Sequence, residues 1–84
     1  MDVRTEKQQA FIERVQDILS STRELDRVRE ALGSLGFIVK GEHGGVVSME
    51  HADAELFIQL RFNEEHTVIS HNIVTYDEII QQQR

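Results

Sequence analysis

Apolar residues recur every three or four positions over residues 5–19: Phe11, Ile12, Val15, Ile18 and Leu19 form one stripe, with Glu6, Glu13 and Asp17 on other faces. That period predicts an amphipathic helix. The stretch "SSTRE" then interrupts it. Ser21 followed three residues later by Glu24 has the form of a capping box, so a second helix is expected to begin there. Leu25, Val28, Leu32 and Leu35 are its stripe, and Gly33 and Gly36 mark its end. The two stripes are nearly in phase. One long, slightly bent helix is therefore the alternative to a pair.

After Gly36 the period changes to strict alternation. "FIVK" (37–40), "VVSMEH" (46–51), "ELFIQLRF" (55–62) and "TVIS" (67–70) read as four strands joined by short loops. A three-residue hairpin loop at His43-Gly44-Gly45 would put Phe37, Val39, Val47, Met49 and His51 on one face. A turn at Ala52-Asp53 carries that face to Leu56, Ile58, Leu60 and Phe62. A turn over residues 63–66 carries it on to Thr67, Ile69 and His71. Thr75 and Glu78 form a second capping-box pattern, with Val74 and Ile79 spaced as a hydrophobic staple, so a short helix closes the chain. Ile79 and Ile80 are expected to dock on the core. The expected order is α-α-β-β-β-β-α, with the helices on one side of an antiparallel meander: an α+β fold in a single domain over residues 1–84.

The chain has no cysteine, so neither a disulfide nor a thiolate-bound zinc staples so short a domain. Burying surface against another copy is the common remaining route to stability, and a homodimer is expected. No apolar run approaches the length of a membrane span, and "MDVRTEKQQA" lacks the apolar core of a signal peptide, which points to the cytoplasm and away from a membrane partner.

The net charge of -6 is unevenly spread. Residues 1–40 carry seven Lys/Arg against seven Asp/Glu, and residues 41–84 carry two against eight. A nucleic-acid partner is therefore not expected, because binding a phosphate backbone needs clustered cations. An acidic region suits a protein partner with a basic site.

Glu-His pairs occur at Glu42-His43, Glu50-His51 and Glu65-His66. In the meander the first and third turns lie at the same end, so His43 and His66 are the two candidates for a metal, with Glu42, Glu64 and Glu65 near them. None of these pairs has the i, i+4 spacing of a helical zinc motif, and polar capping of exposed turns accounts for them, so neither a metal nor any other cofactor is expected. Catalytic motifs are equally absent: the sequence has no cysteine nucleophile, no G-x-S-x-G elbow and no Gly-rich phosphate loop opening a helix. The chain is not expected to be an enzyme.

The stretch "LGSLGFIVKGEHGG" resembles the helix-to-strand passage of small toxin ribonucleases with a double-stranded-RNA-binding-like fold. The resemblance implies RNA as substrate or ligand, with His43 in the active site. The family has a serine before that histidine, where this chain has Glu42. Arg23 and Arg27 lie one helical turn apart, but Asp26 and Glu30 sit beside them, as on a solvated mixed-charge face.

On the sheet face away from the helices the alternation places Ile38, Val46, Phe57 and Val68 among Lys40, Ser48, Glu50, Gln59 and Arg61. Apolar side chains from all four strands on one open face predict a partner-covered surface, unless the N-terminal helix wraps across it. The sequence thus points to a small acidic, non-catalytic interaction protein, an adaptor, inhibitor or regulator. Its contact surface is expected to be this face together with Glu42, Glu50, Glu64 and Glu65. In the sharpest version these carboxylates, with Asp53 and Glu55, mimic phosphates and inhibit a nucleic-acid enzyme.

Overall fold

The computed structural model describes residues 5–82. Thr5 caps the first helix, α1 (Glu6–Ser21): its hydroxyl accepts from the Gln8 N–H, and Gln8 Oε1 accepts from the Thr5 N–H, each at 3.0 Å. Two otherwise unpaired donors are satisfied reciprocally. The Gln8 side chain is buried, and its amide nitrogen donates to the Ala54 carbonyl at 3.0 Å, tying the first turn of α1 to a loop of the sheet.

A separate helix α2 (Leu25–Ser34) follows, so the pair forms and the single long helix does not. The cap expected at Ser21 and Glu24 is not made. Ser21 closes α1 and its hydroxyl donates to the Asp17 carbonyl at 3.0 Å, while Glu24 stands at the start of α2 without a side-chain cap bond. The break is fixed from a distance. The Arg23 carbonyl accepts from the Val68 N–H at 2.7 Å, and the Leu25 N–H donates to the His66 carbonyl at 2.8 Å. The interhelical link is thereby stitched to the sheet, with Glu24 bridged to Thr67.

Four strands, β1 (Ile38–His43), β2 (Val46–His51), β3 (Leu56–Phe62) and β4 (Val68–Thr75), form an antiparallel meander in the order β1-β2-β3-β4. Helix α3 (Tyr76–Gln82) follows β4, giving the expected α+β order. The central strands bury Val47, Met49, Leu56, Ile58 and Leu60 against Ile12, Val15 and Leu19 of α1 and Leu25, Val28 and Leu32 of α2. Among the described residues no helix is long and apolar enough to cross a membrane.

The edge strands depart from simple alternation. In the first hairpin Val39 pairs with Met49 as the three-residue loop requires, but His43 pairs with Val46, leaving a two-residue loop. Gly44 and Gly45 take φ of 59° and 79°, the left-handed pair that matches strand twist in a tight hairpin. A bulge between Val39 and Gly41 absorbs the extra residue. In β4, Phe62 pairs with Val68 and Arg61 with Ser70, so Ile69 is inserted as a bulge. Val68 is therefore 2% exposed and in the core, and Ile69 is 55% exposed. The expected inward position of Ile69 and outward position of Val68 are both reversed.

The helices do not all lie on one side. The Thr75–Glu78 capping box forms, with Glu78 N–H donating to Thr75 Oγ1 at 3.1 Å and Thr75 N–H donating to Glu78 Oε2 at 3.2 Å. It turns α3 onto the opposite sheet face. There the Tyr76 ring lies 5.0 Å from that of Phe57, and Ile79 lines a depression with Phe57 and Val74. Ile80 is 54% exposed and does not join the core. It is α3, rather than the N-terminal helix, that partly covers this second face.

Candidate functional site

The outer sheet face is built by the residues that alternate with the core. Register places Ser48, Gln59 and Asn72 directly opposite one another on three adjacent strands. These are uncharged side chains able both to donate and to accept. None of them makes a side-chain hydrogen bond among the described residues. On one flank stand Phe57, Val74, Tyr76 and Ile79, an apolar wall raised by the start of α3. On the other flank Val46, Arg61 and Ser70 form the next cross-strand row. Gln59 lines three shallow depressions that open on this face.

Charge on this face is sparse and largely neutralised. The Tyr76 hydroxyl donates to Glu50 Oε2, and Lys40 Nζ lies 3.5 Å from Glu50 Oε1. The hydrogen bond to Glu50 holds the Tyr76 phenol protonated, and with burial and the nearby Glu50 and Glu55 charges it is pushed up to about 12 from 10.0. Glu50 is thus engaged within the chain, and Arg61 stands exposed.

Of the residues expected to bind a partner, Ile38, Val46, Phe57, Arg61 and Glu50 share this face. Ile38 is 57% exposed at the β1 edge, while Phe57 is half-buried beneath Tyr76. Val68 is not part of the face, because the bulge at Ile69 turns it into the core. Glu42 lies across from Val47 on the helical side, where Arg29 Nη1 is 3.4 Å from its carboxylate. Glu64 and Glu65 occupy the β3–β4 turn, at the opposite end of the sheet from Asp53 and Glu55. The six carboxylates therefore form no continuous phosphate-like track.

The histidines separate in the same way. His43 is exposed at the end of β1, across from Val46. His66, with φ of 60°, turns its ring edge-on to Phe62 at 5.7 Å. Among the described residues no three His, Asp or Glu side chains come together in a group that could hold a metal. His71 is exposed on β4 opposite Leu60. His51 is buried: its Nδ1 accepts from the Ala54 N–H at 3.1 Å, so Nε2 carries the proton and donates to the Leu35 carbonyl at 3.0 Å. Phe11 and Phe37 pack on its ring at 4.5 and 5.2 Å. It is a structural histidine.

Sequence reasoning missed Asn72, Val74, Tyr76 and Ile79 as members of the face. The staple pair Val74 and Ile79 carried a local signal for the last two, since a staple fixes the angle at which a helix leaves its strand. Asn72 was missed because the expected fourth strand stops at Ser70, whereas β4 runs on to Thr75. Compared with protein-family models, curated proteins and solved structures, the chain matches none.

Proposed function

We propose that this protein is a small non-catalytic interaction module, an adaptor, inhibitor or regulator, that seats a protein partner on the outer face of its sheet. The observation that carries this reading is the in-register row Ser48–Gln59–Asn72, whose hydrogen-bonding side chains are unspent within the described chain. Beside it stands the Phe57/Tyr76 wall. A charge-poor centre containing aromatic side chains, with charge confined to the rim, is the anatomy of a protein interface. The rim here is acidic: Asp53 and Glu55 lie in one turn and Glu64 and Glu65 in another at the far end. Basic groups on the partner would meet these turns and set the rate of encounter more than the affinity.

We favour this reading over the phosphate-mimic version because Glu42 lies beside Arg29 and Glu50 is engaged by Lys40 and Tyr76. The ribonuclease alternative gains no support: among the described residues no side chain makes a hydrogen bond or ion pair with His43.

The test is affinity capture from the host with mass spectrometry, using wild type beside Gln59→Arg and a Glu64→Lys/Glu65→Lys double variant. The expected result is a protein retained by wild type and lost by Gln59→Arg, with the double variant binding more slowly and less dependent on salt. A partner indifferent to Gln59→Arg would move the site elsewhere. RNA cleavage abolished by His43→Ala would replace this reading with the nuclease.

A further inference from the structure

The two edges of the sheet differ. On β1, Lys40 is bulged and charged, Gly41 weakens the strand and Glu42 adds a second charge. Those are the devices that keep an exposed edge from pairing with another chain. The sequence of β4, "VISHNIVT", holds no Asp, Glu, Lys or Arg in a chain that is 29% charged, and it is rich in β-branched residues. Its stretch from Ile69 to Asn72 is exposed. An edge of that composition is primed for pairing.

The backbone shows which groups are available. In an antiparallel strand the N–H and C=O of successive residues point alternately to the two sides. The Tyr76 N–H donates to Glu55 of the β3 side at 3.0 Å, so Tyr76, Val74, Asn72 and Ser70 point inward and Thr75, Ile73 and His71 point to the open edge. The outward N–H of Thr75 is taken by Glu78, and the outward N–H of Val68 is taken by Arg23. Both ends of the edge are thus closed by the chain itself. The window between them is centred on Asn72 and offers the main-chain groups of His71 and Ile73.

We propose that β4 pairs antiparallel with β4 of a second copy across a two-fold axis at Asn72, joining the two sheets into one. His71 then lies opposite Ile73 of the second copy, and each exchanges both of its main-chain hydrogen bonds with the other. Asn72 faces its own counterpart, and an amide is both donor and acceptor, so the pairing is self-complementary. Ser70 meets Val74, and no charged side chain meets its like. Beyond this window the interhelical link of one copy abuts the start of α3 of the other. Arg23 there approaches Asp77 of the second copy, and neither residue has an ion-pair partner among the described residues of its own chain. Because β1 is guarded, association stops at two. The polar row Ser48–Gln59–Asn72 would then run unbroken across both copies. The proposal stands independently of what that row binds.

Sedimentation equilibrium and residue-resolved amide exchange test it. Wild type is expected to sediment at twice 9.7 kDa, with His71 and Ile73 amides gaining protection as protein concentration rises. Asn72→Lys, which opposes two like charges at the axis, is expected to raise the dissociation constant at least about tenfold. His71→Pro removes an N–H that points away from β3, so it should leave the protomer folded and give a monomer. Arg23→Glu should weaken the dimer, and adding Asp77→Arg should restore it. Val39→Lys, on the guarded edge, should change nothing. A wild type monomeric up to millimolar concentration overturns the proposal, as does a dimer that survives both Asn72→Lys and His71→Pro or is lost with Val39→Lys.

Discussion

The His51 ring occupies the space that a side chain at Gly36 would need: a β-carbon built on Gly36 would lie 2.7 Å from His51 Nε2. Gly36 also has φ of 106°, outside the range open to other residues at low cost. His51 cannot swing aside without releasing the Leu35 carbonyl and the Ala54 N–H. Gly36→Ala is therefore expected to destabilise the fold by about 2–4 kcal/mol, combining backbone strain with a broken buried network. Urea denaturation measures it directly, and a loss below about 0.5 kcal/mol would mean that the contact yields easily.

Gly33 gives the opposite sign. It lies inside α2, and a β-carbon there would meet nothing within 4 Å. Gly33→Ala should stabilise by about 0.5–1 kcal/mol, because it restricts the unfolded chain without straining the helix. A midpoint that moves down would show that the last turn of α2 departs from helical geometry.

The Tyr76–Glu50 bond makes stability depend on alkaline pH. The phenol in the folded chain is raised to about 12 from 10.0, so folding favours the protonated form. Its contribution is fully present below pH 10 and is lost as pH rises through 12. Tyr76 is the sole tyrosine and the chain has no tryptophan, so ultraviolet titration of tyrosinate reports this group alone. Glu50→Gln should bring the titration back toward 10.0. An unchanged midpoint in that variant would assign the shift to burial instead.

Val68 and Ile69 exchange the roles that alternation gives them, and truncation should reveal it. Val68→Ala is expected to cost about 1–3 kcal/mol through lost burial and a cavity. In the protomer Ile69→Ala should stay within about 0.5 kcal/mol, because its side chain is exposed and buries little apolar surface. Thermal unfolding of the two variants checks this, and equal losses would mean that the bulge is not populated in solution.

These two residues also mark where the sequence stops being legible. The central hairpin could be read because Val47, Met49, Leu56, Ile58 and Leu60 alternate without interruption, and one buried face admits only one register. The Thr75–Glu78 box could be read because its partners are three residues apart. The bulges at Lys40 and Ile69 could not, since each exchanges one residue of register against a distant strand and leaves the local pattern plausible either way. The failed box at Ser21 has the same origin. Main-chain bonds from residues 23–25 to His66 and Val68 set the break, and they lie more than forty residues along the chain. On the outer face, Ile38, Val46, Glu50, Phe57 and Arg61 stand where alternation with the core puts them, whereas α3 reached the face through a contact between Tyr76 and Phe57 that no periodicity encodes.

That contact supports the last prediction. Alternation makes Phe57 an open anchor for a partner, but Tyr76 lies across it at 5.0 Å and an interplanar angle of 36°. Truncating Phe57 therefore removes support for α3 before it touches any partner. Phe57→Ala should cost about 1–3 kcal/mol of protomer stability, less than the roughly 2–5 kcal/mol expected for Ile58→Ala in the core. Tyr76→Ala should cost a comparable amount, since it loses the same ring contact and the bond to Glu50. If the two rings stabilise each other, the double variant will lose less than the two single losses added together, by about 0.5–1.5 kcal/mol. Strict additivity in that cycle would mean that α3 is held by the Thr75–Glu78 cap and Ile79 alone, leaving Phe57 free for a partner.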